Sequence, residues 1–205
     1  MFELIKSGGL MMAPLILCSV LALAIIVERF WSLQRKRVLP PDLVSQVWRV
    51  ARDKMLNEAD LQRLKDSSLL GFVLAAGLAN SHHGRDVMKE CIEEAGRQVV
   101  NELEKFINTL GTIASVSPLL GLLGTVIGMI QAFTAIVAQG VGDPAVLAEG
   151  ISVALITTAT GLTVAIPSLI FHRYFERLVD EYVVEMEAQA LKLVDILHGQ
   201  REPIL

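Results

Sequence analysis

Three stretches of this chain carry no charged residue, and their lengths constrain the fold more than anything else in it. Ser7 to Val27, Phe106 to Gly142 and Gly150 to Phe171 contain no Asp, Glu, Lys, Arg or His. About 20 apolar residues in a helix cross a hydrocarbon layer roughly 30 Å thick, so each stretch predicts a transmembrane helix. With 53% hydrophobic and 20% charged residues, the chain is too apolar for an ordinary soluble domain, yet it is as charged as one. Sorting charge by position resolves that conflict. The fold class is an all-α membrane protein with three transmembrane helices and long cytoplasmic helical extensions.

The first stretch ends in Val27-Glu28-Arg29-Phe30-Trp31, not in a small-residue cleavage site, and Lys6 is offset by Glu3. It reads as a retained span and not as a signal peptide. The second stretch is far longer than a bilayer needs, so part of its helix projects beyond the lipid. Gly140-Val141-Gly142-Asp143-Pro144 predicts a turn that makes the second and third spans a helical hairpin. Arg29, Arg35, Lys36 and Arg37 follow the first span, Arg173 and Arg177 follow the third, and the hairpin loop has no Lys or Arg. Orientation follows such cations, which puts the N-terminus and the hairpin loop outside. The expected organisation is 1–33 for the outward N-terminus and first span, 34–105 for a cytoplasmic helical segment, and 106–138 for the second span with its cytoplasmic extension. It continues with 139–148 for the outer loop, 149–171 for the third span and 172–205 for a cytoplasmic C-terminal helix.

Between the spans the pattern changes. Pro40-Pro41-Asp42 is a helix start signal, followed by Leu43, Val47 and Val50, then Leu61 and Leu64, at helical spacing. Leu69 to Leu78 is apolar but too short to span, and predicts a buried helix. The helix from Arg85 has a solvated face of Lys89, Glu90, Glu93, Glu94 and Arg97. His82 and His83 have no third ligand at metal spacing and read as a turn. Cys18 in lipid and Cys91 in a reducing compartment are expected to be plain thiols. Leu178, Tyr182, Met186, Leu193 and Leu197 recur on one face of an amphipathic helix. That face fits either packing on the middle segment or a helix bundle around a symmetry axis.

The later spans are rich in small residues. Ser117, Gly121, Gly124 and Gly128 recur in steps of three and four, and Ala154, Thr158, Gly161, Ala165 and Ser168 answer them. Such stripes let helices approach closely where lipid is as apolar as Leu. Thr157, Thr158, Thr160 and Thr163 crowd two turns, and Thr125 sits in the glycine stripe. Either each hydroxyl bonds its own helix, or the threonines form a polar seam along a water-accessible interior. Pro118 and Pro167 are expected to bend their spans. With no ionisable group in any span, the chain alone cannot build a proton relay, so either it moves no protons or a partner supplies the carboxylate. No nucleophile–base pair, metal cluster or phosphate loop is present in the sequence, so an enzyme, a metal and a cofactor are not expected. A net charge of −4 gives no basic field for nucleic acid.

Two blocks carry a family resemblance: Pro118-Leu119-Leu120-Gly121-Leu122-Leu123-Gly124-Thr125-Val126-Ile127-Gly128-Met129, and the run from Gly150 through Ile156-Thr157-Thr158-Ala159-Thr160-Gly161 to Pro167. Here the sequence resembles the MotA/TolQ/ExbB proton-channel family, in particular its ExbB/TolQ branch. The resemblance implies a homopentamer around a central pore, holding the single membrane helices of an ExbD/TolR-like partner whose aspartate carries the proton. It implies a pathway lined by Thr125, Thr158 and Thr157 with Ala154, Gly161 and Val153, and helix packing through Ser117, Gly121, Gly124, Gly128 and Ala165. It also implies a bacterial inner-membrane location with a periplasmic N-terminus, and proton flow that energises a TonB-like protein for outer-membrane import of iron complexes or vitamins. A TolQ-like envelope-maintenance motor, a gliding motor subunit and a passive membrane scaffold are the alternative outputs. One position departs from the family pattern: a glutamate expected five residues before Thr158 is Val153 here. Glu149, one turn further out at the mouth of the span, is either its substitute or an interfacial charge.

Overall fold

The computed structural model describes residues 9, 11–41, 43–52, 57–139 and 144–197. Among them the helices are α1 (Met12–Ser32), α2 (Arg35–Val38), α3 (Leu43–Arg52), α4 (Glu58–Ser67), α5 (Leu69–Ala79), α6 (Arg85–Leu103), α7 (Ile107–Gln139) and α8 (Pro144–Leu197). A single 3-10 turn covers Ser81–His83, where both imidazoles are exposed. The described residues contain no strand, and α1, α7 and α8 supply three segments long and apolar enough to cross a membrane. The all-α membrane architecture with long helical extensions is therefore what the sequence predicts. Glu3 and Lys6, Leu10, Asp42 and the turn residues Gly140 to Asp143 fall outside the described residues, as does the side chain of Val50.

The chain divides into two compact units, Met1–Glu28 with Phe106–Phe175, and Arg29–Lys105 with Glu176–Leu205. In the first, the carbonyl of Gly9 accepts the Met12 amide at 3.2 Å and starts α1. Leu15, Ala22 and Ile26 are buried along one stripe of α1, while Leu17, Val20, Leu23 and Val27 stay exposed, as a lipid-facing surface requires. Pro118 and Pro167 sit inside helices that continue through them. The α7 and α8 spans run antiparallel, with Ser117 opposite Gly161, Gly121 opposite Thr158, and Gly128 opposite Gly150 and Ala154. Nearer the charged end of α8, the His172 imidazole lies over Gly111, where a β-carbon would stand 2.8 Å from it.

The second unit is built on water-driven burial. Leu70, Val73, Leu74 and Leu78 of α5 are buried with Met88, Ala95 and Val99 of α6 and Val179, Tyr182, Met186, Ala190, Leu193 and Val194 of α8. Ser68 opens α5, its hydroxyl accepting the Gly71 amide at 3.0 Å. Three polar contacts fix the extension of α8: the Tyr182 hydroxyl donates to the Leu33 carbonyl at 2.8 Å, Arg35 pairs with Glu185 at 2.7 Å, and Arg85 pairs with Asp195 at 2.9 Å. Of the expected apolar face, Tyr182, Met186 and Leu193 are buried and Leu178 and Leu197 half-buried. Packing on the middle segment is thus realised within one chain.

The least expected feature is Arg29. Its side chain is only 2% exposed, and its guanidinium donates to the carbonyls of Leu103 at 3.2 Å and Glu102 at 3.3 Å. Those carbonyls are at the C-terminal end of α6, where the last helical acceptors have no intrahelical donor and the helix dipole favours a cation. Directly after them the chain breaks: Glu104 and Lys105 leave the helix, and Phe106 adopts φ 62° before α7 begins. A left-handed non-glycine residue costs about 1–2 kcal/mol, so the break between α6 and α7 is held against local strain. Replacing Arg29 by Met keeps much of its apolar stem and strips the two carbonyls of their donor. The expected cost is about 2–4 kcal/mol, with partial recovery in Arg29→Lys. Thermal unfolding of the detergent-solubilised variants checks this, and an unchanged midpoint for Arg29→Met would contradict it.

Candidate functional site

Along the contact of α7 and α8, the obstacle that a β-carbon would meet changes in kind from one glycine to the next. At Gly161 it is the Ser117 carbonyl oxygen, 2.6 Å away, and at Gly128 the Gly150 carbonyl oxygen, 2.9 Å away. These are contacts with backbone. At Gly124 the obstacle is the side chain of Thr157, whose hydroxyl and β-carbon occupy the space. Thr157 is fully buried, and its hydroxyl donates to the carbonyls of Ala154 at 2.9 Å and Val153 at 3.1 Å.

The other span threonines divide into two groups. Thr125, Thr160 and Thr163 donate to carbonyls of their own helix, those of Leu122, Ile156 and Ala159, at 2.6 to 2.8 Å. Thr158 reaches across instead, donating to the Gly121 carbonyl of α7 at 3.1 Å. Of the residues singled out in the sequence, the structure brings Thr158, Gly121 and Gly161 into one contact, and Thr157 and Gly124 into another. Ala154 lies against Gly128, and Ala165, Ala154, Ser117 and Gly161 are buried. Thr125 and Thr158 remain half-buried. Val153, also half-buried, has its γ-carbon within 3.7 Å of where a side chain on Gly9 would start, so it faces the beginning of α1. Glu149 is exposed.

This surface offers hydroxyls in an otherwise apolar helix pair, and from Gly150 to Phe171 it offers no ionisable group. It can orient water or a partner's polar side chain, but it holds no proton itself. Sequence reasoning found the stripes and missed their pairing in detail. It also assigned Arg29 only to the orientation signal, and its place in the last turn of α1 gives no sign that it reaches the carbonyls ending α6.

Comparison with known proteins now decides the family, because residues 65–188, more than half the chain, match the MotA/TolQ/ExbB proton channel family. The chain belongs to that family. Its relatives point to the ExbB branch. It is 33% identical over 169 residues to the putative biopolymer transport protein ExbB-like 1 of Synechocystis sp., covering 81% of this chain and 66% of that protein. It is 28% identical over 190 residues to the putative biopolymer transport protein ExbB homolog of Methanothermobacter thermautotrophicus, covering 90% of this chain and 66% of that one. With the biopolymer transport protein exbB1 of Vibrio cholerae it shares 32% identity over 193 residues, covering 90% and 83%. The match thus spans just under two thirds of the first two relatives' own lengths.

The two kinds of glycine contact make different predictions. Gly124→Ala should destabilise the spans by about 1–3 kcal/mol, and the penalty should shrink in a Thr157→Gly background, where the obstructing side chain is gone. Gly161→Ala should cost as much or more, and Ser117→Gly should not relieve it, because the obstacle is a carbonyl oxygen. Double-mutant cycles on unfolding in detergent read both couplings. Equal coupling at the two sites would contradict the assignment.

Proposed function

We propose that this chain is the proton-channel and stator subunit of an inner-membrane complex, its N-terminus periplasmic and its C-terminus cytoplasmic. In this reading it conducts and transmits, and performs no catalysis. Copies of the chain, five by family resemblance, surround the single membrane helix or helices of an ExbD/TolR-like partner. The partner supplies an aspartate, and proton passage drives motion that energises a TonB-like protein for import across the outer membrane. The observation that carries this reading is the α7–α8 pair, where half-buried Thr125 and Thr158 offer hydroxyls beside a span free of ionisable groups. Both hydroxyls donate to backbone carbonyls, so their oxygens can accept from the partner's carboxyl group in its protonated form, which meets no fixed charge there.

Two features support assembly of several copies. Val184, Ala188 and Leu191 form an exposed apolar stripe at heptad spacing on α8, on a different face from the buried Tyr182, Met186 and Leu193. Beside α8 and α6 runs a groove of about 500 Å³ lined by Ile92, Val100, Met186 and Val194 among others. The driving force is about 2.3 kcal/mol per charge per 100 mV, so several protons are required for each heavy mechanical step.

Co-expression with a single-span partner bearing a membrane Asp should yield a co-purifying complex whose vesicles take up protons. Partner Asp→Asn should abolish the uptake and leave the complex intact. Thr158→Val should lower uptake at unchanged abundance, and Thr158→Ser should retain it. Uptake that survives Asp→Asn removes the carrier assignment, and a silent Thr158→Val removes the hydroxyl seam.

A further inference from the structure

We propose that Lys36 and Arg37, together with Trp31 and Phe30, form a binding site for the phosphodiester headgroup of an anionic phospholipid. The site is set by the length of α1. From Met12 to Trp31 the helix rises about 28 Å, close to the roughly 30 Å of a bilayer's hydrocarbon core, so Phe30 and Trp31 come at the level where chain and headgroup meet. Both are turned outward. Trp31 is 62% exposed and Phe30 47%, whereas Arg29 beside them is buried against α6. Exposed aromatic rings at the end of a span are the usual occupants of this interfacial layer.

Charge makes the site selective. Arg35, Lys36 and Arg37 are consecutive on α2 and all exposed. Arg35 is neutralised by Glu185 at 2.7 Å. Among the described residues no carboxylate pairs with Lys36 or Arg37. The Arg37 guanidinium lies 4.6 Å from the centroid of the Trp31 ring, which holds the cation at the interface and leaves its edge N–H groups to face a phosphate. An arginine stacked on an aromatic ring keeps its fork of donors. Uncompensated cation, aromatic platform and depth together match a phosphate bearing a net negative charge. A zwitterionic choline headgroup offers the same phosphate with a cation attached, and binds less well.

The test uses the full chain in detergent, titrated with phosphatidylglycerol or phosphatidylcholine, with bound lipid counted by native mass spectrometry. Wild type should prefer phosphatidylglycerol. The Lys36→Gln/Arg37→Gln double variant should bind it roughly thirtyfold more weakly, since each cation near the surface is worth about fivefold, and its phosphatidylcholine binding should fall far less. Equal affinity of variant and wild type for phosphatidylglycerol overturns the proposal, as does equal binding of the two lipids by wild type. Inorganic phosphate that competes at the lipid's own concentration reassigns the site to a free anion and also overturns it. A second readout is independent of the double variant's folding. In a Trp48→Phe background, Trp31 fluorescence should be quenched more strongly by brominated phosphatidylglycerol than by brominated phosphatidylcholine, and equal quenching counts against the site.

Discussion

The close approach of α7 and α8 is the constraint on which the membrane part depends. Between helices in lipid, burying another leucine gains little, because the lipid is as apolar as the partner. Attraction has to come from contact distance and from polar groups that hydrocarbon cannot satisfy. Gly161 beneath the Ser117 carbonyl, Gly128 beneath that of Gly150, and the Thr158 bond to Gly121 supply both. The large residues are thereby displaced to the other faces, where Leu119, Leu122, Val126, Ile130 and Phe133 of α7 and Leu155, Ile166 and Leu169 of α8 are exposed. Such a surface suits lipid tails or further copies of the chain.

The second unit follows the opposite logic. There, water drives Leu74, Met88 and Leu193 out of solvent, and size rather than smallness wins. Its ion pairs are partly exposed and individually modest. Their value is in position, since Arg35–Glu185 and Arg85–Asp195 hold α8 at two points on the same unit. One helix therefore serves two solvents, with small residues facing its partner in one stretch and large ones in the other.

Much of this was legible in the order of residues. Charge-free lengths are nearly sufficient for spans, because an unpaired charge in hydrocarbon is so costly, and glycine periodicity is sufficient for a close contact. What the sequence could not separate was which threonine looks where. Thr157 and Thr158 are adjacent and chemically identical, yet one is sealed against Gly124 and the other bonds across to α7. A rotation of about 100° per residue makes that difference, and only the register of the neighbouring helix reveals it. The break at Phe106 was illegible for another reason: the residue is left-handed with no glycine there to announce it.

Arg29 leads a double life in time. The orientation of a first span is decided by cations near its end while the chain is still being inserted, when the carbonyls of Glu102 and Leu103 have yet to be made or folded. Once α6 forms, the same guanidinium is taken out of solvent to cap it. The charge that speaks during insertion is then silent in the finished molecule. A map of the folded protein's surface potential would consequently undercount the signals that oriented it.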